Sequence, residues 1–308
     1  MIIIQDILQA KRDIEHVIHT TPILHSSSLS EICGNEMYFK AEHLQKTGSF
    51  KIRGATNKVK KMVREKAAYI TTASSGNHGQ AVSYIATKLG VPVTVVVPED
   101  IRDTKLKAIQ HYGGKVEKCG TTSEERLGRA KELAKENNGV FIPPYNDALV
   151  MTGQGTIGLE ILAQLPKANV IVVPIGGGGL LAGILTAIKQ SKPNVKVIGV
   201  EPELANDTFL SLKSGKITEI PGSTTIADGL RASKPGFMTF PIIKQYVDDI
   251  VLVSEDEIKE ARLLVLERMK QLIEPSAAVT VAAAMSGKLG VDDKNVVCVL
   301  SGGNVDIR

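Results

Sequence analysis

Short apolar runs rich in β-branched residues, at 68–72, 93–97, 115–119, 170–174, 195–200 and 296–300, alternate with segments whose apolar residues return at three- and four-residue steps, at 79–89, 104–112, 123–136, 155–164, 179–190 and 255–270. Strands separated by helices pair in the same direction, because each helix carries the chain back to the starting edge of the sheet. The alternation predicts an α/β protein with open parallel sheets. Ligands in such sheets bind beyond the C-terminal ends of the strands, where helix N-termini point their free N–H groups. Several of the helical segments begin straight after a glycine-containing turn, so the same pattern marks where chemistry belongs.

A chain of 308 residues that is 43% hydrophobic has core enough for two domains or one large one. Its formal net charge of +4 is spread along the chain, unlike the concentrated basic footprint of a nucleic-acid binder. Cys33, Cys119 and Cys298 fit no metal-ligand spacing and are too few for a secreted disulfide scaffold, which favours a reducing, cytoplasmic setting. At the N-terminus, MIIIQDILQAKRDIEHVI interrupts its apolar residues with charge before a signal-peptide core or a membrane span can form. Neither an internal repeat nor a low-complexity linker is evident.

Four segments carry the candidate chemistry. At 46–55, KTGSFKIRGA is a polar turn that presents Lys51 just ahead of a helical stretch. A lysine amine suits imine chemistry when burial lowers its pKa, and Phe50 beside it suits packing against a planar ring. Taken alone, this segment fits a solvated loop lysine better. At 74–81, SSGNHGQA follows an apolar strand and opens a helix. Its backbone N–H groups, hydroxyls and Asn77 amide suit a carboxylate or a phenolic oxygen, and equally an ordinary serine-capped turn.

At 174–183, PIGGGGLLAG places consecutive glycines between a strand and a helix. Glycine is entropically costly, and such a run suggests backbone amides gathered around an anion, most plausibly a phosphate. It matches neither GxxxxGK[ST] nor GxGxxG, which argues against a mononucleotide or dinucleotide site. At 300–304, LSGGN ends the last strand, where the Ser301 hydroxyl suits a neutral ring nitrogen; in isolation an ordinary terminal turn is the better reading.

Together these segments closely resemble the fold-type II pyridoxal-phosphate (PLP) enzymes of the threonine dehydratase and serine racemase family, from Thr21 and Pro22 to the C-terminus. The resemblance implies the tryptophan synthase β-like fold, two open parallel-sheet domains with PLP in the cleft: a large domain from 1–61 with 147–308, and a small mobile one from 62–146. By the family pattern, Lys51 would hold the cofactor as an imine, Phe50 would flank its ring and Asn77 would bond the ring hydroxyl. Gly176, Gly177, Gly178 and Gly179 would cradle the phosphate, and Ser301 would face the pyridine nitrogen. Ser74, Ser75, Asn77 and His78 would receive the substrate carboxylate. A neutral hydroxyl opposite that nitrogen leaves it unprotonated and tempers the ring as an electron sink, which suits loss of a β-hydroxyl better than transamination.

The implied reaction begins when the substrate amine displaces Lys51, which then removes the Cα proton. The β-hydroxyl leaves, and hydrolysis yields ammonia with pyruvate from serine or 2-oxobutyrate from threonine. Ser75 is the racemase-like residue, a proton donor on the opposite face; it also occurs in members that mainly eliminate. Glu201, the Ala205 carbonyl and Asp207 match the family's divalent-cation pattern (Mg, Mn or Ca), against a plain reading as a solvated acidic loop. Three further matches are Glu274 near the cofactor ring, the loop 225–229, and Arg126 towards the carboxylate, though an arginine in that helix would normally face solvent. The resemblance leaves no room after 301–306 for a regulatory domain, and members of the family commonly form homodimers. The competing readings are serine racemisation as the main activity, β-replacement of the cysteine-synthase type, and a non-catalytic protein that binds PLP or amino acids.

Overall fold

The computed structural model describes residues 1–306 apart from Ser75 and Thr121. Its strands are β1 (Ile23–His25), β2 (Glu36–Lys40), β3 (Ile70–Ala73), β4 (Val93–Val97), β5 (Lys115–Lys118), β6 (Val140–Phe141), β7 (Val170–Pro174), β8 (Lys196–Pro202), β9 (Asp249–Val253) and β10 (Asn295–Val299). They form one sheet of order β1-β2-β10-β7-β8-β9 and another of order β5-β4-β3-β6. All neighbours run parallel except β1 and β2, which pair antiparallel. The expected α/β architecture with open parallel sheets is therefore observed. The sheet β5-β4-β3-β6 is built from the middle of the chain, and both ends enter the other.

The helices are α1 (Ile4–Ile14), α2 (Ser27–Cys33), α3 (Lys51–Arg64), α4 (Asn77–Lys88), α5 (Asp103–His111), α6 (Ser123–Glu136), α7 (Ala148–Gln164), α8 (Gly179–Lys189), α9 (Asp207–Ser214), α10 (Thr239–Tyr246), α11 (Glu255–Leu264) and α12 (Pro275–Met285). Strand β7 shows why its sequence is apolar without alternation. Val170 and Val172 pack into a core with α12 residues such as Val281, whereas Ile171 and Val173 pack on the other face with Leu181 and Ile184 of α8. A parallel strand covered by helices on both sides has no solvent face to mark with polar residues.

Helix α7 starts at Ala148, a turn and more before the expected residue 155, because Asp147 caps it by accepting hydrogen bonds from Leu149 N and Val150 N at 2.9 and 3.1 Å. The glycines that suggested a helix start are instead contact points. A Cβ at Gly153 would stand 2.6 Å from the Gly54 Cα of α3, and one at Gly183 of α8 would stand 2.3 Å from the Met151 carbonyl of α7. These three helices thus pack with their backbones nearly touching. A buried ion network reinforces them. Arg53 of α3 is fully buried and donates to Glu42 and Glu160, and Lys40 donates to Glu160 at 2.5 Å and to the Thr21 carbonyl at 2.7 Å. Removing one partner of such a network costs about 3–5 kcal/mol, since the remaining charge stays buried and unpaired. Among the described residues, no helix is long and apolar enough to cross a membrane.

Candidate active site

Lys51 is the first residue of α3, not a loop lysine ahead of it, and Phe50 precedes it as the capping residue. Its Nζ donates to the Pro144 carbonyl at 2.9 Å and lies 5.2 Å from the centroid of the Phe50 ring. Burial pushes the ammonium down to about 8, partly opposed by the negative charge of Glu274. Roughly one such amine in ten is neutral at pH 7, against about one in three thousand for an unperturbed lysine. The amine is thus prepared to attack a carbonyl.

Short backbone bonds bring the C-terminal motif to it. Phe50 N donates to the Ser301 carbonyl at 3.0 Å, and Ser49 and Gly302 form an isolated antiparallel bridge. Ser301 is 2% exposed. The hydroxyls of Thr47 and Ser49 are buried with no hydrogen-bond partner, an arrangement that calls for a polar occupant nearby.

Asn77 opens α4 and reaches across to the larger sheet. Its Nδ2 donates to both oxygens of Glu274, at 2.9 and 3.0 Å, and its Oδ1 accepts from Asn304 Nδ2 at 2.8 Å. Burial raises Glu274 to about 7 despite Asn77. Among the described residues, Gln80 N is the first of α4 to bond a preceding carbonyl, Gly76 O, as expected of a helix whose first N–H groups lie beyond the reach of an intrahelical acceptor. At His78 the ring and the backbone have different surroundings. Its ring is buried, its Nε2–H donates to the Ile142 carbonyl, and burial together with Lys51 depresses its pKa to about 3. The ring is therefore neutral and leaves Nδ1 as an unpartnered acceptor, so its backbone N–H, not its side chain, is available to a carboxylate. Ser74 Oγ accepts from Gly76 N at 3.2 Å. Ser75 lies outside the described residues.

The glycine run forms the loop from β7 into α8. Gly178 takes φ +87°, a conformation that costs a side chain dearly, and it caps α8 so that the next N–H groups point outward. A Cβ at Gly177 would stand 2.4 Å from the Tyr145 ring, and one at Gly176 would stand 3.1 Å from the Gly229 carbonyl. The loop 225–229 thus lies directly against the glycines, and Gly229 N donates to Ser276 Oγ at 3.0 Å. Lys105 of α5 pairs with Asp228 of this loop and Thr104 donates to Asp306 at 3.1 Å, which joins the two sheets' helices and loops.

Glu201 ends up within β8 rather than in a loop. Its carboxylate accepts from Thr208 N and Phe209 N at 3.0 and 2.9 Å, and burial and Asp207 raise it to about 8. Both oxygens of Asp207 are buried without a hydrogen-bond partner, and burial raises this group to about 7. Ala205 is fully buried beside them. Among the described residues, no cluster of three or more His, Cys, Asp or Glu side chains gathers as metal ligands. Arg126 is half-buried in α6, where burial lowers its pKa against the nearby charges of Asp100 and Glu125. Pro144 and Tyr145, which hold the Lys51 amine and cover the glycine run, carried no sequence signal.

A buried lysine of lowered pKa at the start of α3, a glycine loop that opens α8 and an asparagine that opens α4 and bonds Glu274 and Asn304 together define the candidate site. The chain belongs to the family of pyridoxal-phosphate dependent enzymes, which matches residues 14–302. It is 44% identical to an L-threonine ammonia-lyase of Thermotoga maritima, over 100% of this chain and 77% of that protein. It is 47% identical to a serine racemase of Dictyostelium discoideum, over 99% and 95%. The solved structure of the processed form of threonine deaminase isoform 2 from Solanum lycopersicum superposes with a TM-score of 0.92 at 35% identity, covering 98% of this chain and 86% of that one. The fold is that of the fold-type II PLP enzymes.

Proposed function

We propose that this chain is a PLP-dependent ammonia-lyase that converts L-threonine and L-serine to 2-oxobutyrate and pyruvate with release of ammonia, and that it also inverts serine. The observation that carries the reading is Lys51, a buried amine lowered to about 8 whose Nζ donates to the Pro144 carbonyl. Relatives of both kinds, lyase and racemase, support it at similar identity.

The residues present fit PLP. Thr47 and Ser49 leave buried hydroxyls unpartnered, and the glycine run presents α8's first N–H groups where a Cβ would collide. Lys51 would hold the carbonyl carbon, Gly176 to Gly179 the phosphate, Asn77 the ring hydroxyl and Ser301 the ring nitrogen. When bound, PLP supplies an electron sink for the pair left at Cα. Lys51 would take the Cα proton, and the N–H groups at the start of α4 with Ser74 and Ser75 would hold the substrate carboxylate. Ser75 delivers a proton to the opposite face when serine is inverted. The domain 62–146, which carries Arg126, closes the cleft against water.

A divalent cation would sit at Glu201, Asp207 and the Ala205 carbonyl. Asp207's two buried, unpartnered oxygens support it, since a hard cation satisfies both and offsets the burial that raises Asp207 and Glu201. Assembly as a homodimer and a cytoplasmic setting complete the proposal.

The test is chiral product analysis with L-serine and L-threonine. Wild type should give 2-oxo acids and some D-serine, Lys51→Ala neither product nor the cofactor's visible absorbance, and Ser75→Ala the 2-oxo acids with D-serine suppressed. Turnover by Lys51→Ala would overturn the assignment, and equal loss of both products in Ser75→Ala would remove the two-base reading.

A further inference from the structure

Asn304 touches Asn77, and its hydrogen bonds have a direction. Its Nδ2 donates to the Thr47 carbonyl and to Asn77 Oδ1, both at 2.8 Å. A backbone carbonyl only accepts, so the end of the Asn304 side chain at Thr47 must be its NH₂. The second hydrogen of that NH₂ then demands an acceptor at Asn77, which turns Asn77 so that its own NH₂ faces Glu274, at 2.9 and 3.0 Å. The donor order from Thr47 to Glu274 is thereby fixed by chemistry, without reference to which amide atom is called oxygen.

The local backbone is shaped for this side chain. Gly48 has φ +70°, and a Cβ there would stand 2.3 Å from Asn304 Oδ1. Gly303 N donates to the Gly48 carbonyl at 2.9 Å, which ties the two turns together. At Gly302 a Cβ would stand 2.5 Å from Glu274 Oε1. The glycines of both motifs thus make room for Asn304 and Glu274, the two groups that grip Asn77 from either side.

We propose that Asn304 is a positioning residue that sets the polarity of Asn77, so that Asn77 presents an N–H and not a carbonyl to the phenolic oxygen of the cofactor. The inference rests on the reading of the site as one that binds PLP, and it goes beyond that reading by assigning the orientation of Asn77 to Asn304, which acts through Asn77. An N–H there holds the phenolic oxygen as an anion, whereas a carbonyl oxygen would repel it.

Asn304→Asp has nearly the same shape and no N–H, so it should reverse the chain: Asn77 turns its NH₂ to the introduced carboxylate and its carbonyl to Glu274 and the cofactor's side. The holoenzyme should then show a changed ratio of the cofactor's absorption bands and release PLP roughly tenfold more readily, the worth of about one hydrogen bond to a charged group. Asn304→Ala, which adds no charge, should change the bands less. Melting of both variants with PLP removed gives the comparison: the proposal expects a loss of stability that is larger with PLP than without it. Unchanged bands and PLP retention within twofold in both variants, or equal losses with and without PLP, would make Asn304 a structural clamp and overturn it. Absence of any cofactor band in the wild type would instead sink the PLP reading itself.

Discussion

Glu274 is 5% exposed, and the neighbours that act on its charge are Asn77, Asp228, Lys105 and Lys51. Burial raises it from 4.5 to about 7, so the folded chain holds this proton more tightly than the unfolded chain does. Its contribution is fully present below pH 4.5 and is lost as pH rises through about 7, an effect on the order of 3 kcal/mol. Glu274→Gln keeps an acceptor for Asn77 and does not ionise. Denaturant unfolding should find this variant more stable than wild type at pH 8, with the difference gone at pH 4; parallel curves across that range would refute it. Lys51, Asn77, the glycines and Ser301 were marked in the sequence only by their company, since Lys51 and Ser301 taken alone read as an ordinary loop lysine and an ordinary turn. The bond from Lys51 to Pro144 and the neutral ring of His78 were not, because each depends on a carbonyl supplied from a distant part of the chain.

At the scale of the element, the loop into α8 is tied to the crossing segment that leads into α7. A methyl group at Gly177 would overlap the Tyr145 ring, 2.4 Å away, and crowding of this kind costs about 1–3 kcal/mol. Melting curves should show Gly177→Ala destabilised and Gly177→Ala with Tyr145→Ala losing less than the sum of the single changes. Additive losses would mean the two do not meet. Periodicity marked β3, β4, β5, β7, β8 and β10 with α4 to α8 and α11, and α12 is among the elements it did not mark. Its sequence PSAAVTVAAAM is buried on nearly every side, so no polar face marks its turn, and it is recognisable only by what surrounds it. The long helix expected at 255–270 ends as α-helix at Leu264 and continues as a π-helical turn over Val265–Met269.

For the molecule as a whole, a cation held by Asp207, Glu201 and the Ala205 carbonyl would bind the folded chain alone. At a hundred times its Kd it would add about 2.7 kcal/mol, enough for a rise of several degrees in Tm. Addition of Mg²⁺ or Ca²⁺ should raise Tm, chelation should lower it, and Asp207→Asn should remove the response; an indifferent wild type would exclude the ion. The two sheets meet around Asn77, whose helix belongs to one and whose partners Glu274 and Asn304 belong to the other. Lys105 with Asp228 repeats that link on the far side of the loop 225–229.

The sequence by itself determined the alternation of strand and helix, the parallel pairing that follows, and the residue types able to do imine and phosphate chemistry, because these depend on short spacings and on the side chains themselves. Tertiary structure decided the working state of those residues. The lowered pKa of Lys51, the raised one of Glu274, the orientation of Asn77 and the glycines that let α3, α7 and α8 touch all arise from groups far apart in the chain. Burial and a hydrogen-bond partner's donor or acceptor character exist only once such groups are brought together.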